Sequence, residues 1–235
     1  MQEKYIPRLS KEDIEERRVG LNPIYESLCS VTKERRFKVL DKEIVAIPGM
    51  FAPIGVNTPL LAEAVRKEVK QSDIVLDMGT GSGVLALFAA EKAKKVTAVD
   101  INPKAVVCTK KNVKLFGLEK KFQVKYSDVF SNLKNEKFDL IIFNPPFRWF
   151  EPRDIIERSI TDKDYRAIRE FFDQVKKHLK SKGRILLAFS TSGDVSYLKH
   201  VIKHAGLEYK TIIKYQENPS KCNLVLKIQK KIKQS

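Results

Sequence analysis

Four short patterns in this 235-residue chain hold residue types that could do chemistry. The first is Asp77-Met78-Gly79-Thr80-Gly81-Ser82-Gly83, set between the apolar runs Ile74-Val75-Leu76 and Val84-Leu85-Ala86-Leu87-Phe88-Ala89-Ala90. That order reads as strand, glycine turn, helix. Glycines at alternate positions let the backbone turn sharply and pass close to a ligand, because no Cβ intervenes. The following helix would aim its free N–H groups and positive dipole end at that ligand. Gly81-x-Gly83-x-x-Ala86 alone also fits the dinucleotide fingerprint, and a turn of this kind can be only a tight turn. The other three patterns close later strand-like runs: Asp100, 23 residues past Asp77; Asp128 with Val129; and Asn144-Pro145-Pro146-Phe147.

Asn144-Pro145-Pro146-Phe147 is the most specific of the four. Two prolines remove two N–H donors and hold the backbone extended. The Asn144 side chain and the Pro145 carbonyl then become fixed acceptors for the two hydrogens of a planar –NH2 group. Accepting them pushes the nitrogen lone pair toward an electrophile, and Phe147 can stack on the flat group. Such a displacement rests on positioning and electrostatics, without a metal or a covalent nucleophile. Asp100 is placed to accept from both ribose hydroxyls of an adenosine moiety, with Ile101 against the adenine face. Asp128 can accept from the adenine amino group, and the Val129 N–H adds a second contact. Asp77 would repel a pyrophosphate and favour a sulfonium-bearing amino acid. The set therefore points to S-adenosylmethionine rather than a dinucleotide.

These residues need a sheet whose carboxyl ends face one crevice. Strands are expected at 73–77, 95–100, 122–126, 138–143 and 184–189, with helices between them. Asn57 or Thr58 caps the helix that precedes the first strand, Pro103 opens another, and a third covers 163–180. Two last strands, 209–215 and 224–228, form a hairpin around Asn218-Pro219, and the lysine-bearing tail from Lys227 reads as a frayed end. The sum is an α/β fold: one seven-stranded, mostly parallel, doubly wound sheet with a short N-terminal extension. Residues 1–56 form that extension and a lid, the lid being the Pro- and Gly-dense loop Pro48–Gly55, and residues 57–235 form the main domain. Ser10-Lys11-Glu12-Asp13 opens a helix in the extension, and a second covers Ile24–Cys29.

Composition sets outer bounds. Hydrophobic residues at 43% allow a sizeable core, and no apolar run is long enough to span a bilayer. Met1-Gln2-Glu3-Lys4-Tyr5 lacks a signal-peptide core, so a soluble, cytoplasmic protein is expected. Cys29, Cys108 and Cys222 show no disulfide or zinc spacing, and His200 and His204 lack a third ligand nearby. A net charge of +16 invites a polyanionic partner, most simply RNA or DNA, although a lysine-rich surface would give the same count.

Taken together, Asp77-x-Gly79-x-Gly81-x-Gly83, Val99-Asp100-Ile101-Asn102-Pro103 and Phe143-Asn144-Pro145-Pro146-Phe147 resemble the class I S-adenosylmethionine-dependent methyltransferases of the Asn-Pro-Pro-aromatic subgroup, which includes the HemK-like and small-domain enzymes. The likeness covers about residues 37–229. It implies a Rossmann-like methyltransferase fold and transfer to a planar amine. In such enzymes the amine is the exocyclic amine of adenine in RNA or DNA, or a glutamine side chain of a release factor. The lead-in from Phe37 to Leu61 is similar to the glutamine enzymes. Those usually carry an acid where Asn57 stands and a tyrosine where Phe147 stands, and Phe is more usual in the nucleic-acid members. Arg148, Trp149 and Phe150 would suit a nucleotide-binding rim or cover the pocket. The resemblance thus implies an N-methyltransferase in the translation machinery. Adenine in RNA leads, protein glutamine is the alternative, and a non-catalytic cofactor-binding subunit is a third reading. Asp77, Gly79, Thr80, Gly81, Gly83, Asp100, Ile101, Asp128, Val129 and Asn144 would hold the cofactor.

Overall fold

The computed structural model describes residues 5–7, 9–53 and 55–231. Residues 1–4, Arg8, Ile54 in the expected lid loop, and 232–235 at the end of the expected frayed tail lie outside them. In the extension, α1 (Lys11–Val19) opens on Ser10, whose hydroxyl accepts the Asp13 N–H at 3.0 Å. After it come α2 (Asn22–Cys29) and an antiparallel hairpin of β1 (Arg35–Val39) and β2 (Lys42–Ala46).

The main body alternates α3 (Asn57–Glu68), β3 (Ile74–Met78), α4 (Val84–Ala90), β4 (Lys95–Asp100), α5 (Pro103–Leu115), β5 (Phe122–Tyr126) and β6 (Phe138–Phe143). It continues with α6 (Arg166–His178), β7 (Leu179–Ser190), α7 (Val195–His204), β8 (Leu207–Asn218) and β9 (Lys221–Lys230). The sheet order is β5-β4-β3-β6-β7-β9-β8, and β9 runs antiparallel to both its neighbours. The seven-stranded, mostly parallel, doubly wound Rossmann-like sheet expected from the sequence is therefore present.

Strand period sorts the core. Val75, Ala98, Leu140 and Ile142 pack with α3 and α4, while Leu76, Val99, Ile141 and Phe143 pack with α6 and α7. All seven residues of α4 are buried, as its all-apolar sequence requires. Tyr5, Leu21, Leu28 and Val31 of the extension enter the same cluster as the α6 and α7 side chains.

Three local expectations change. Helix α3 begins at Asn57 itself, with Val56 at the cap position, so neither Asn57 nor Thr58 caps it. The expected 163–180 helix gives way at Leu179, because Leu179 already pairs with Phe138 in the sheet. Residues 227–230 are no frayed end: they pair with β8, and Lys227 bonds Glu68 at 2.8 Å.

Candidate active site

Register places the chemistry on one edge. Met78 pairs with Val99 and with Phe143, and Asp100 pairs with Tyr126. The residues that follow these strands therefore leave the sheet side by side, beyond its carboxyl ends. A cavity of about 710 Å³ opens there. Gly79, Thr80, Gly81, Asp100, Ile101, Asp128, Val129, Asn144, Pro145, Pro146 and Phe147 line it. Asp77 and Gly83 do not; they stand one layer back.

The glycine loop needs its glycines. Gly79, Gly81 and Gly83 have φ of 66°, 56° and 82°, in the left-handed region that L side chains rarely adopt. A Cβ on Gly83 would also meet Thr109 of α5 at 2.8 Å. Asp77 is fully buried beneath the loop. It accepts from the Thr80 hydroxyl at 2.7 Å and from the Ala86 N–H at 3.2 Å. The first turn of α4 thus directs one N–H at a protein carboxylate instead of at a ligand. Burial pushes the Asp77 carboxyl up to about 7, because its charged form loses solvation.

Asp100 ties the loop to β4. Its Oδ2 accepts the Gly81 N–H at 2.9 Å and its Oδ1 accepts the Asn102 N–H at 2.8 Å. A carboxylate has capacity for further donors, so ribose hydroxyls can still be accepted. Asn102 caps α5 through Lys104 and donates to Gly49 O at 2.8 Å, pinning the Pro- and Gly-rich loop to the cavity. Phe51, Pro53 and Gly55 of that loop, Val56 at the start of α3, and Pro23, Ile24 and Ser27 of the extension form part of the wall. Asp128 meets Arg166 at 2.9 Å and Arg158 at 3.8 Å, so two guanidinium groups already face the carboxylate expected at adenine.

Asn144, like Asn57 on the same wall, carries an unsatisfied acceptor. Its Oδ1 is buried at the cavity wall with no hydrogen-bond partner. A buried acceptor left unsatisfied costs about 1–3 kcal/mol, which a ligand donor would relieve. Phe147 meets Phe189 edge-on, with ring centroids 5.9 Å apart.

The backbone after Asn144 is held by residues the sequence did not single out. The Tyr165 hydroxyl donates to Phe147 O at 2.9 Å and accepts the Asp194 N–H at 2.7 Å. Tyr5 donates to Asp194 Oδ2 at 2.8 Å. Asp164 and Tyr165 both have φ of 53°, a strained pair of non-glycine residues beside the motif. Gly193 presses directly on it, since a Cβ there would lie 2.0 Å from Phe147 O. The Thr191-Ser192-Gly193-Asp194 turn is visible in sequence, but nothing local connects it to residue 147. Trp149 and Phe150 are corrected as rim residues: both are buried outside the cavity wall, with Trp149 against Tyr5 and Tyr165. Arg148 alone of that run lines the cavity.

His200 and His204 stack at 6.1 Å on α7, and among the described residues no group of three or more His, Cys, Asp or Glu could hold a metal. Cys29, Cys108 and Cys222 are free thiols. Among the described residues no helix is long and apolar enough to cross a membrane.

A glycine-floored crevice beyond the carboxyl ends of this sheet, with an acid closing the second strand and Asn-Pro-Pro-Phe closing the fourth, defines a class I methyltransferase domain. The chain belongs to the small-domain methyltransferase family, whose model, described as the methyltransferase small domain, matches residues 41–207. It is 36% identical to ribosomal RNA small subunit methyltransferase C of Mannheimia succiniciproducens over 60% of this chain, but spans only 39% of that protein. It is 35% identical, over 63% of this chain and 76% of the relative, to a Methanocaldococcus jannaschii protein provisionally named a protein N5-glutamine methyltransferase. Among solved structures, the Thermus thermophilus 16S rRNA N2 G1207 methyltransferase in complex with AdoMet and guanosine superposes with a TM-score of 0.63 at 23% identity. That match covers 85% of this chain and 51% of the other.

Proposed function

We propose that this chain is an S-adenosylmethionine-dependent N-methyltransferase acting on a planar amine of the translation machinery. The leading acceptor is the exocyclic amine of adenine in RNA, or in DNA. The observation that carries this reading is the buried, partnerless Asn144 Oδ1 in the wall of a cavity floored by the glycine loop.

The residues fit the cofactor. The positive-φ glycines keep side chains off the cavity floor, Asp100 offers acceptors for ribose hydroxyls, and Ile101 and Val129 also line the wall. Bound there, S-adenosylmethionine supplies an electrophilic methyl on a sulfonium centre. Asn144 Oδ1 and the Pro145 carbonyl accept the two amine hydrogens, which orients the nitrogen lone pair and raises its density. Phe147 stacks on the ring that bears the amine. Pro23, Ile24, Phe51 and Pro53 line the cavity, which supports reading residues 1–56 as an extension and lid over the domain of 57–235.

Protein glutamine is the second reading, favoured by the Methanocaldococcus relative, of which this chain spans about three quarters. A non-catalytic subunit would have no use for the unsatisfied Asn144. The two acceptors separate when tritiated methyl groups are transferred into cell extract treated with ribonuclease or with protease. The RNA reading expects label lost to ribonuclease. Label that survives ribonuclease and is lost to protease rejects it.

A further inference from the structure

We propose that Arg148 binds the phosphodiester attached to the acceptor nucleotide, so that the site accepts an amine best when an anion is fixed beside it. The inference rests on the RNA reading above. Arg148 follows the Asn-Pro-Pro-Phe run, is 6% exposed and lines the cavity. Its guanidinium carbon lies 5.4 Å from the centroid of the Phe147 ring. Its Nε is buried without an acceptor, and among the described residues no carboxylate pairs with it. The other cations of the cavity wall are paired: Arg158 and Arg166 with Asp128, and Lys221 with Glu217.

A buried charge without a partner is costly, so this guanidinium gains from any anion brought to it. Burial and the nearby Arg17 push it down to about 10, and it stays cationic at neutral pH. Its backbone is fixed, because Arg148 O accepts the Asp162 N–H at 2.8 Å. The planar fork matches phosphate oxygens in pairs. Phosphate is favoured over carboxylate by connectivity. A base stacked on Phe147 carries its phosphate one sugar away, within the neighbourhood of the next side chain. A glutamine amide is joined to no anion of its own. The net charge of +16 agrees with a polyanionic acceptor.

Titration calorimetry tests this on the full chain saturated with S-adenosylhomocysteine, using adenosine and adenosine 5′-monophosphate as probes. The monophosphate should bind at least about tenfold more tightly. In Arg148→Gln that preference should fall below about twofold, with affinity for adenosine and for S-adenosylhomocysteine nearly unchanged. Arg148→Met should lose the same preference yet keep or raise the melting temperature, because an apolar chain replaces an unpaired charge. A purely structural arginine would instead lower it. Equal binding of the two probes by the native chain, no binding of the monophosphate, or a preference that survives in either variant overturns the proposal. So does a glutamine peptide with an adjacent aspartate that binds through Arg148 in place of the monophosphate. The RNA reading fails separately, by methyl label that outlasts ribonuclease.

Discussion

At the scale of single residues, Asn144, Asp100 and Asp77 divide the work by where their oxygens point. Asn144 Oδ1 is buried without a partner at a residue of the cavity wall, so Asn144→Ala should lower kcat by about 10²-fold or more while leaving S-adenosylhomocysteine binding nearly intact. Unchanged kcat in that variant would defeat the mechanism. Asp100 holds the loop and, in the proposed cofactor site, would also hold the ribose, so Asp100→Ala should weaken cofactor binding by about tenfold to a hundredfold, read by calorimetry. Asp77 works from beneath. Its carboxyl titrates near 7 in the folded chain and near about 4 when unfolded. The folded state therefore holds an extra proton between those values, and the contribution of Asp77 to stability falls as pH rises through that window. Asp77→Asn never ionises, so its melting temperature should rise relative to the native chain from acid to neutral pH. A constant difference across the window would show that Asp77 is ionised throughout.

At the scale of elements, the Asn-Pro-Pro-Phe loop after β6 is supported from the turns before α7 and before α6. Gly193 leaves no room for a methyl group against Phe147 O, and the Tyr165 hydroxyl fixes the same oxygen. Gly193→Ala should displace Phe147 and reduce kcat far more than cofactor affinity. Steady-state kinetics beside calorimetry would show whether the two separate. The opposite end of the sheet is locked by charge. Arg184 of β7 pairs with Asp73 at 2.6 Å, both buried, and it also donates to Glu68 O. Removing the carboxylate leaves the guanidinium short of its buried partner, so Asp73→Ala should cost about 3–5 kcal/mol of unfolding free energy in urea titration. Asn112 of α5 performs the corresponding task near the site: it bonds Val45 through both N–H and C=O and donates to Ser82 O at 2.8 Å, joining the hairpin to the glycine loop.

At the scale of the whole molecule, the charge of +16 is the property that bears on partners. If the acceptor is RNA, a roughly fourfold rise in salt should weaken binding to ribosomal RNA at least about tenfold, as two or more phosphate contacts require. Filter binding at two salt concentrations checks this, and affinity indifferent to salt would speak for a protein acceptor. The chain spans about two fifths of the Mannheimia relative.

What the sequence determined by itself was everything with a local signature. The glycine loop, Asp100 and Asn144-Pro145-Pro146-Phe147 each close a strand-like run, and a parallel sheet with ordinary register can only gather such ends on one edge. The order of the strands, the reach of β9 to Lys230, and the burial of Trp149 and Phe150 depend on contacts between distant segments, which period and propensity do not encode. Asp77 shows the division at one residue. Its place before the glycines was legible, but that its Oδ2 serves both Thr80 and Ala86 from beneath the loop was decided by the packing of α4 against the sheet. Gly193, Tyr165 and the unpaired Arg148 belong to the same second kind. Each acts through a neighbour that is remote in sequence or through a partner that is missing, and only the folded chain shows either.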